Sequence, residues 1–276
     1  MLSRQVAQAA APNSVALPTI KPWLVDGFYR FCRYYMRRQF HAVAVDQREL
    51  KASPLPDDCP MICYANHPGW WDPILAVHLC KSCFPGRKLY APIDAQALKK
   101  YRVFAQMGFY GIELHSLHGA ADFLRISKRI LAEPKSSLWI TPEGRFADPR
   151  DHTAPLMPGL AHLALQHENL YLVPLAMEYV FWEERLPEAL QRIGRPIHNS
   201  EIKHLSKPQA LEFLAARLRD NQKHLADSII ARRSEDFEVQ ISGKSGAWGF
   251  YDALRKMKAR FSGEKLDLHH GSKLNS

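Results

Sequence analysis

The 276-residue chain is predicted to fold as an α/β protein, a single layered domain with a mostly parallel central sheet flanked by helices, plus an N-terminal amphipathic helix. Three observations predict this. Short apolar, strand-like segments alternate with helix-length segments between residues 61 and 180, the pattern of successive βαβ units. Apolar residues at 46% and charged residues at 24% match an ordinary globular chain and exclude a mostly disordered or collagen-like one. No segment approaches the roughly 20 apolar residues that cross a bilayer: the best run, Leu170 to Trp182, is interrupted by Pro174 and Glu178.

The elements follow in order. Residues 1–19 hold one basic residue, Arg4, and no continuous apolar block before a cleavage site, so they are expected as a disordered N-terminus rather than a secretory leader. From Ile20 to Phe40, the residues Ile20, Leu24, Phe28, Phe31 and Tyr35 share one helical arc, widened by Trp23, Gly27 and Tyr34 and flanked by Arg30, Arg33 and Arg37. Such a helix either packs on a core or lies in a membrane interface, and both readings stay open here. With its linker it fills residues 20–53, ahead of a central domain at 54–235. Strands are expected at Met61–Ala65, Lys88–Ile93, Phe109–Leu114, Ser137–Thr141 and Leu170–Tyr179, with a short one closing at Ile197. Helices are expected at Pro73–Lys81, about Asp94–Met107, Ser116–Glu133, near Gly159–His167, and from Ser206 through Leu211, Leu214, Leu218, Leu225 and Ile229. Residues 236–276 read as a basic amphipathic tail, with Phe250, Leu254, Met257 and Phe261 on one face among Arg255, Lys256, Lys258 and Arg260.

The formal charge of +9 favours anionic partners, whether nucleic acid, lipid headgroups or phosphorylated cofactors. No nucleic-acid recognition motif accompanies it. The five cysteines, Cys32, Cys59, Cys63, Cys80 and Cys83, are an odd set that suits a reducing compartment. Four of them loosely imitate a zinc pattern. Positions four apart on a strand lie about 13 Å from each other, which argues against that reading.

The stretch Tyr64-Ala65-Asn66-His67-Pro68-Gly69-Trp70-Trp71-Asp72-Pro73 carries the chemistry. A strand ends, a Pro-Gly turn follows, and Asp72-Pro73 has the form of a helix N-cap followed by proline. On one helix His67 and Asp72 would diverge by about 140°, but across a strand-to-helix turn the carboxylate can fold back onto the imidazole N–H. That leaves the other ring nitrogen as a base. No Gly-x-Ser-x-Gly elbow supplies an enzyme nucleophile, so the expected nucleophile is a substrate hydroxyl attacking an activated acyl carbon. The bland alternatives are a helix N-cap for Asp72 and a hydrogen-bonded turn residue for His67.

Asn66-His67-x-x-x-x-Asp72 resembles the first motif of the glycerophospholipid acyltransferase family, which includes the 1-acylglycerol-3-phosphate acyltransferases. Thr141-Pro142-Glu143-Gly144-Arg145 is similar to the family's Pro-Glu-Gly motif, Met157-Pro158-Gly159-Leu160-Ala161 to the turn after it, and Val173-Pro174-Leu175-Ala176 to its Val-Pro block. The likeness covers roughly residues 58 to 200 and implies that the central domain is an acyltransferase domain. It implies that His67 is the general base, that Asp72 orients it, and that Glu143, Gly144 and Arg145, with Asn66, bind substrate. Two departures stand out. Arg145 follows Gly144 directly, where the family usually has a hydroxyl residue, and Leu114 followed by His115 replaces a phosphate-binding arginine in the second motif. An acceptor with a less charged head, such as a lyso-amino lipid or sugar lipid, becomes an alternative to lysophosphatidate.

The expected activity is therefore transfer of a fatty acyl group from acyl-CoA or acyl-ACP to a hydroxyl of a lysophospholipid or other lipid, by a cytoplasmic protein bound peripherally to an anionic membrane. No metal or cofactor and no nucleic acid enter this chemistry. A noncatalytic lipid-binding or scaffolding member of the same fold is the alternative. Trp70 and Trp71 either wall an acyl channel or pack in the core, and Lys99-Lys100-Tyr101-Arg102 either meets phosphates or is a solvated helix face.

Overall fold

The computed structural model describes residues 17–244. The expectations for most of the N-terminal segment, and for the basic stretch around Phe250 to Phe261, lie outside these residues. In chain order the elements are α1 (Pro22–Gln39), β1 (Ala42–Asp46), α2 (Arg48–Ala52), β2 (Met61–Ala65), α3 (Asp72–Cys83), β3 (Lys88–Asp94), α4 (Ala95–Lys100), β4 (Phe109–Ile112), α5 (Leu117–Leu131), β5 (Ser136–Ile140), α6 (Gly159–Gln166), β6 (Tyr171–Val180), β7 (Glu188–Ile193), β8 (Ile197–His198), α7 (Lys207–Ile230) and β9 (Glu238–Ser242).

One sheet runs β4-β3-β5-β2-β6-β7-β1-β9, with β8 beside β6. Its first five strands are parallel, β7 is antiparallel to β6, β1 is parallel to β7, and β9 closes the edge antiparallel to β1. The central strands are buried on both faces, which is why they read as continuous apolar runs rather than alternating ones. Met61, Cys63 and Ala65 of β2, with Val173, Leu175 and Met177 of β6, face α1 and α3. Ile62, Tyr64, Leu138 and Leu172 point the other way, against α5, α6 and α7.

Helix α1 packs on the core along one face and leaves another exposed. Cys32 and Met36 are buried and Leu24, Val25, Phe28 and Tyr35 pack against the core, while Trp23, Phe31 and Tyr34 stay exposed. The helix expected over Asp94–Met107 is broken. Asp94 caps α4 by accepting from the Gln96 N–H, Tyr101 leaves the helical region, and a 3-10 helix over Arg102–Met107 follows. It ends at Gly108, whose φ of +97° and 2.0 Å approach of an ideal Cβ to the Leu89 carbonyl oxygen exclude a side chain.

The sheet also reaches beyond residues 54–235. Strand β1 lies inside the segment expected as helix and linker, and β9 lies inside the segment expected as tail. The intervening β7 was not expected either. Its Glu188, Gln191 and Arg192 look solvated in sequence, but Glu188 and Gln191 are fully buried and Arg192 is paired with Asp46 and Glu49.

Candidate active site

Parallel strands β2, β5 and β6 all deliver their carboxyl ends to one edge of the sheet, the edge at which open α/β sheets place ligands. Asn66, one residue past β2, is buried. Its side-chain amide donates to the Met177 carbonyl at 3.0 Å and accepts from the Met177 N–H at 2.9 Å. Asn66 thus staples the loop entrance to β6, with both polar ends committed to backbone rather than to an open pocket.

The chain then turns back through Gly69 into α3. Trp71, not Asp72, occupies the N-cap, so Asp72 and Pro73 are the first two helical residues. From there the Asp72 carboxylate reaches back over the turn. Oδ2 accepts from His67 Nδ1 at 2.5 Å and from the Gly69 N–H at 3.2 Å, while Oδ1 accepts from the Tyr179 hydroxyl. The carboxylate is only 3% exposed, and its charge sits at the positive end of α3. With Nδ1–H directed at Asp72, a neutral His67 ring carries its lone pair on Nε2. The ring is one-fifth exposed, so a substrate can reach it.

A second loop, leaving β5, covers His67. The Ala147 N–H donates to the His67 carbonyl at 3.0 Å, and the Phe146 ring lies 4.2 Å from the imidazole, centroid to centroid. The loop turns sharply at Thr141–Gly144, closed by Gly144 N–H to Thr141 O at 3.0 Å, with Gly144 at φ +67°. Glu143 points inward. Its Oε1 accepts from Arg219 of α7 at 2.7 Å, and the same guanidinium donates to Gln222 Oε1 at 2.7 Å and to the Ala154 carbonyl at 2.5 Å. Among the described residues Glu143 Oε2 has no hydrogen-bond partner. Arg145 lies on the surface, paired with Asp151 at 3.4 Å.

The structure therefore brings His67 and Asp72 into contact, sets Gly144 at the turn of the covering loop, and turns Asn66 and Glu143 inward as braces. Trp71 packs between Tyr35 and Phe40, and Trp70 stands exposed beside it. Lys99 and Lys100 sit exposed on α4, which leaves β3 at the same carboxyl edge. The cysteines are free thiols, and among the described residues no group of three or more His, Cys, Asp or Glu is placed to hold a metal ion.

Sequence reasoning missed two residues. Tyr179 lies three positions past the Val173–Ala176 block, and the period of two along β6 places it with Val173, Leu175 and Met177 on the face that carries α3. That alternation was the available signal. Arg219 sits in a helix whose apolar spacing draws attention away from its charges, and nothing local marks it.

A family model described as Acyltransferase matches residues 47–178, the span that contains His67, Asp72, Glu143 and Tyr179. No curated protein matches the chain.

Proposed function

Since residues 47–178 form a domain of the glycerophospholipid acyltransferase family, we propose that the protein transfers a fatty acyl group from an acyl thioester, acyl-CoA or acyl-ACP, to a hydroxyl of a lysophospholipid or other lipid acceptor. The observation that carries the proposal is the His67 Nδ1–Asp72 Oδ2 bond of 2.5 Å at the carboxyl edge of the sheet.

His67 Nε2 accepts the acceptor's hydroxyl proton as that oxygen attacks the thioester carbonyl. Asp72 stabilises the imidazolium that forms, and collapse of the tetrahedral adduct breaks the C–S bond and returns the proton to the departing thiolate. General-base assistance of this kind is typically worth about 10²- to 10⁴-fold. Glu143, Gly144 and Arg145 shape the acceptor side through the loop over His67, and Asn66 contributes by fixing the position of His67 rather than by touching substrate.

The acceptor resides in a bilayer, and among the described residues no helix is long and apolar enough to cross one. Two features support peripheral docking on an anionic surface. Exposed Trp23, Phe31 and Tyr34 share α1 with exposed Arg30, Arg37 and Arg38. Ring contacts then run from Phe31 through Tyr35 and Trp71 to exposed Trp70 beside the site. Interfacial helices use this pairing of aromatics with basic residues.

The test combines purified protein and vesicles containing lysophosphatidate, a lyso-amino lipid or a lyso-glycolipid with long-chain acyl-CoA and then acyl-ACP. Acylated lipid formed with one donor–acceptor pair supports the proposal. Thioester hydrolysis without acylated lipid, or an inert protein that still binds the vesicles, contradicts it and favours a lipid-binding role.

A further inference from the structure

We infer that Tyr179 is a positioning residue for the His67–Asp72 pair: its phenol donates to Asp72 Oδ1, holding the carboxylate with Oδ2 toward His67 and limiting the negative charge presented to the imidazole. The inference deepens the acyltransferase proposal and rests on it for the role of His67.

A carboxylate facing a histidine can rotate about its Cβ–Cγ bond, present either oxygen, or tilt away. Here both oxygens are occupied. Oδ2 holds His67 and the Gly69 N–H, and Oδ1 holds Tyr179. The phenol is itself held in place. Its ring stacks on Phe40 with 5.9 Å between centroids, and an ideal Cβ on Gly69 falls 3.4 Å from it, so the ring also abuts the turn that carries the Gly69 donor. Burial and the neighbouring Asp72 anion push the Tyr179 phenol well above its ordinary range, so it stays an O–H donor at every working pH.

The chemical consequence is a change in basicity. Each hydrogen bond to a carboxylate favours its ionised form and disperses its charge. Removing the Tyr179 hydroxyl concentrates that charge on the contact with His67, which then holds a proton more tightly and is neutral, and able to act as a base, only at higher pH. Among the described residues, the charged groups of the adjoining loop and strand have partners of their own: Glu143 is paired with Arg219 and Arg145 with Asp151, while Glu178, next to Tyr179 on β6, is attracted by Arg150 and repelled by Asp148. Phe40 and Phe146 present only rings.

The test is a titration of the His67 imidazole by ¹⁵N NMR in the full chain and in Tyr179→Phe, alongside the pH profile of kcat/KM for the active donor–acceptor pair. The His67 midpoint and the acid limb of the profile are expected to move up together by about half to one pH unit in Tyr179→Phe. The variant then loses about three- to tenfold in rate below the limb and recovers to within about twofold above it. A purely structural role predicts instead a pH-independent loss with an unmoved midpoint, and that result overturns the inference, as does a downward shift. Should Tyr179→Phe fail to fold, 3-fluorotyrosine at position 179 keeps the shape while strengthening the donor, and the midpoint must fall. An unmoved or raised midpoint there is equally fatal. The NMR arm reads the coupling even if no tested acceptor is acylated, so failure of the functional proposal and failure of this inference remain separable.

Discussion

Replacing Arg219 by methionine tests how the loop over His67 is held. Arg219 makes three hydrogen bonds, to Glu143, Gln222 and the Ala154 carbonyl, from a side chain that is 14% exposed, and the Glu143 side chain it neutralises is 1% exposed. Methionine keeps most of the apolar stem and removes all three donors. Breaking a buried ion pair by deleting one partner costs about 3–5 kcal/mol, because the remaining charge is stranded. The partial access of water to Arg219 puts the expected loss at the lower end, about 3 kcal/mol, or a Tm lowered by about 6–10 °C for a domain of this size. Thermal melts of wild type, Arg219→Met, Glu143→Gln and the double variant form the assay. Adding Glu143→Gln to Arg219→Met removes the stranded charge, so the double variant is expected to recover at least about 1 kcal/mol relative to additivity. Strictly additive losses, or an Arg219→Met melt within a degree of wild type, would refute the bracing role. With an active acceptor in hand, the same variant should raise KM for the acceptor more than for the thioester.

Two buried groups tie stability to pH in opposite directions. Burial, reinforced by Glu184, raises Glu188 to about 7, so in the fold it binds a proton that the unfolded chain releases near 4.5; the cost is absent below 4.5 and complete above 7. Glu188→Gln keeps the acceptor for the Trp182 N–H and should stabilise by about 2 kcal/mol at pH 8 and by almost nothing at pH 4.5, as read from urea midpoints at the two pH values. His78 behaves in the converse way. Burial, helped by the positive charge of Arg33, lowers it from near 6.5 to about 4, so its stability contribution is intact above 6.5 and is lost as pH falls toward 4. His78→Leu should therefore be about 2 kcal/mol more stable than wild type at pH 4.5, and chemical denaturation at pH 4.5 and 7 would expose a pH-independent difference if the assignment is wrong. Asn66→Ala strands the Met177 N–H and carbonyl and should cost about 3 kcal/mol by denaturant melt, with His67-dependent turnover falling as the loop loosens.

What the sequence revealed and what it hid follow from distance along the chain. The parallel core was legible because its strands are buried on both faces and read as apolar runs. The His67–Asp72 contact was legible because a turn of five residues can be reasoned about locally. Strand β7 was not, because Arg192 and Glu188 carry surface-like chemistry whose burial depends on partners far away, Asp46 among them. Tyr179 meets Asp72 across 107 positions, and Arg219 meets Glu143 across 76, so neither partnership leaves a local trace. Arg219 also lies beyond residues 47–178, the span that the family model matches, so its contact with the loop comes from α7 alone. The inward turn of the Asn66 and Glu143 side chains was hidden for the same reason: only the folded chain supplies Met177 and Arg219 to receive them.

The central claim is that His67, oriented by Asp72, removes a proton from the acyl acceptor. Its most direct test is kcat/KM for acyl transfer by wild type and His67→Ala, both shown by circular dichroism to be folded, on the donor–acceptor pair that wild type uses. A loss of about 10²- to 10⁴-fold in the variant is predicted; transfer within a few-fold of wild type would contradict the account.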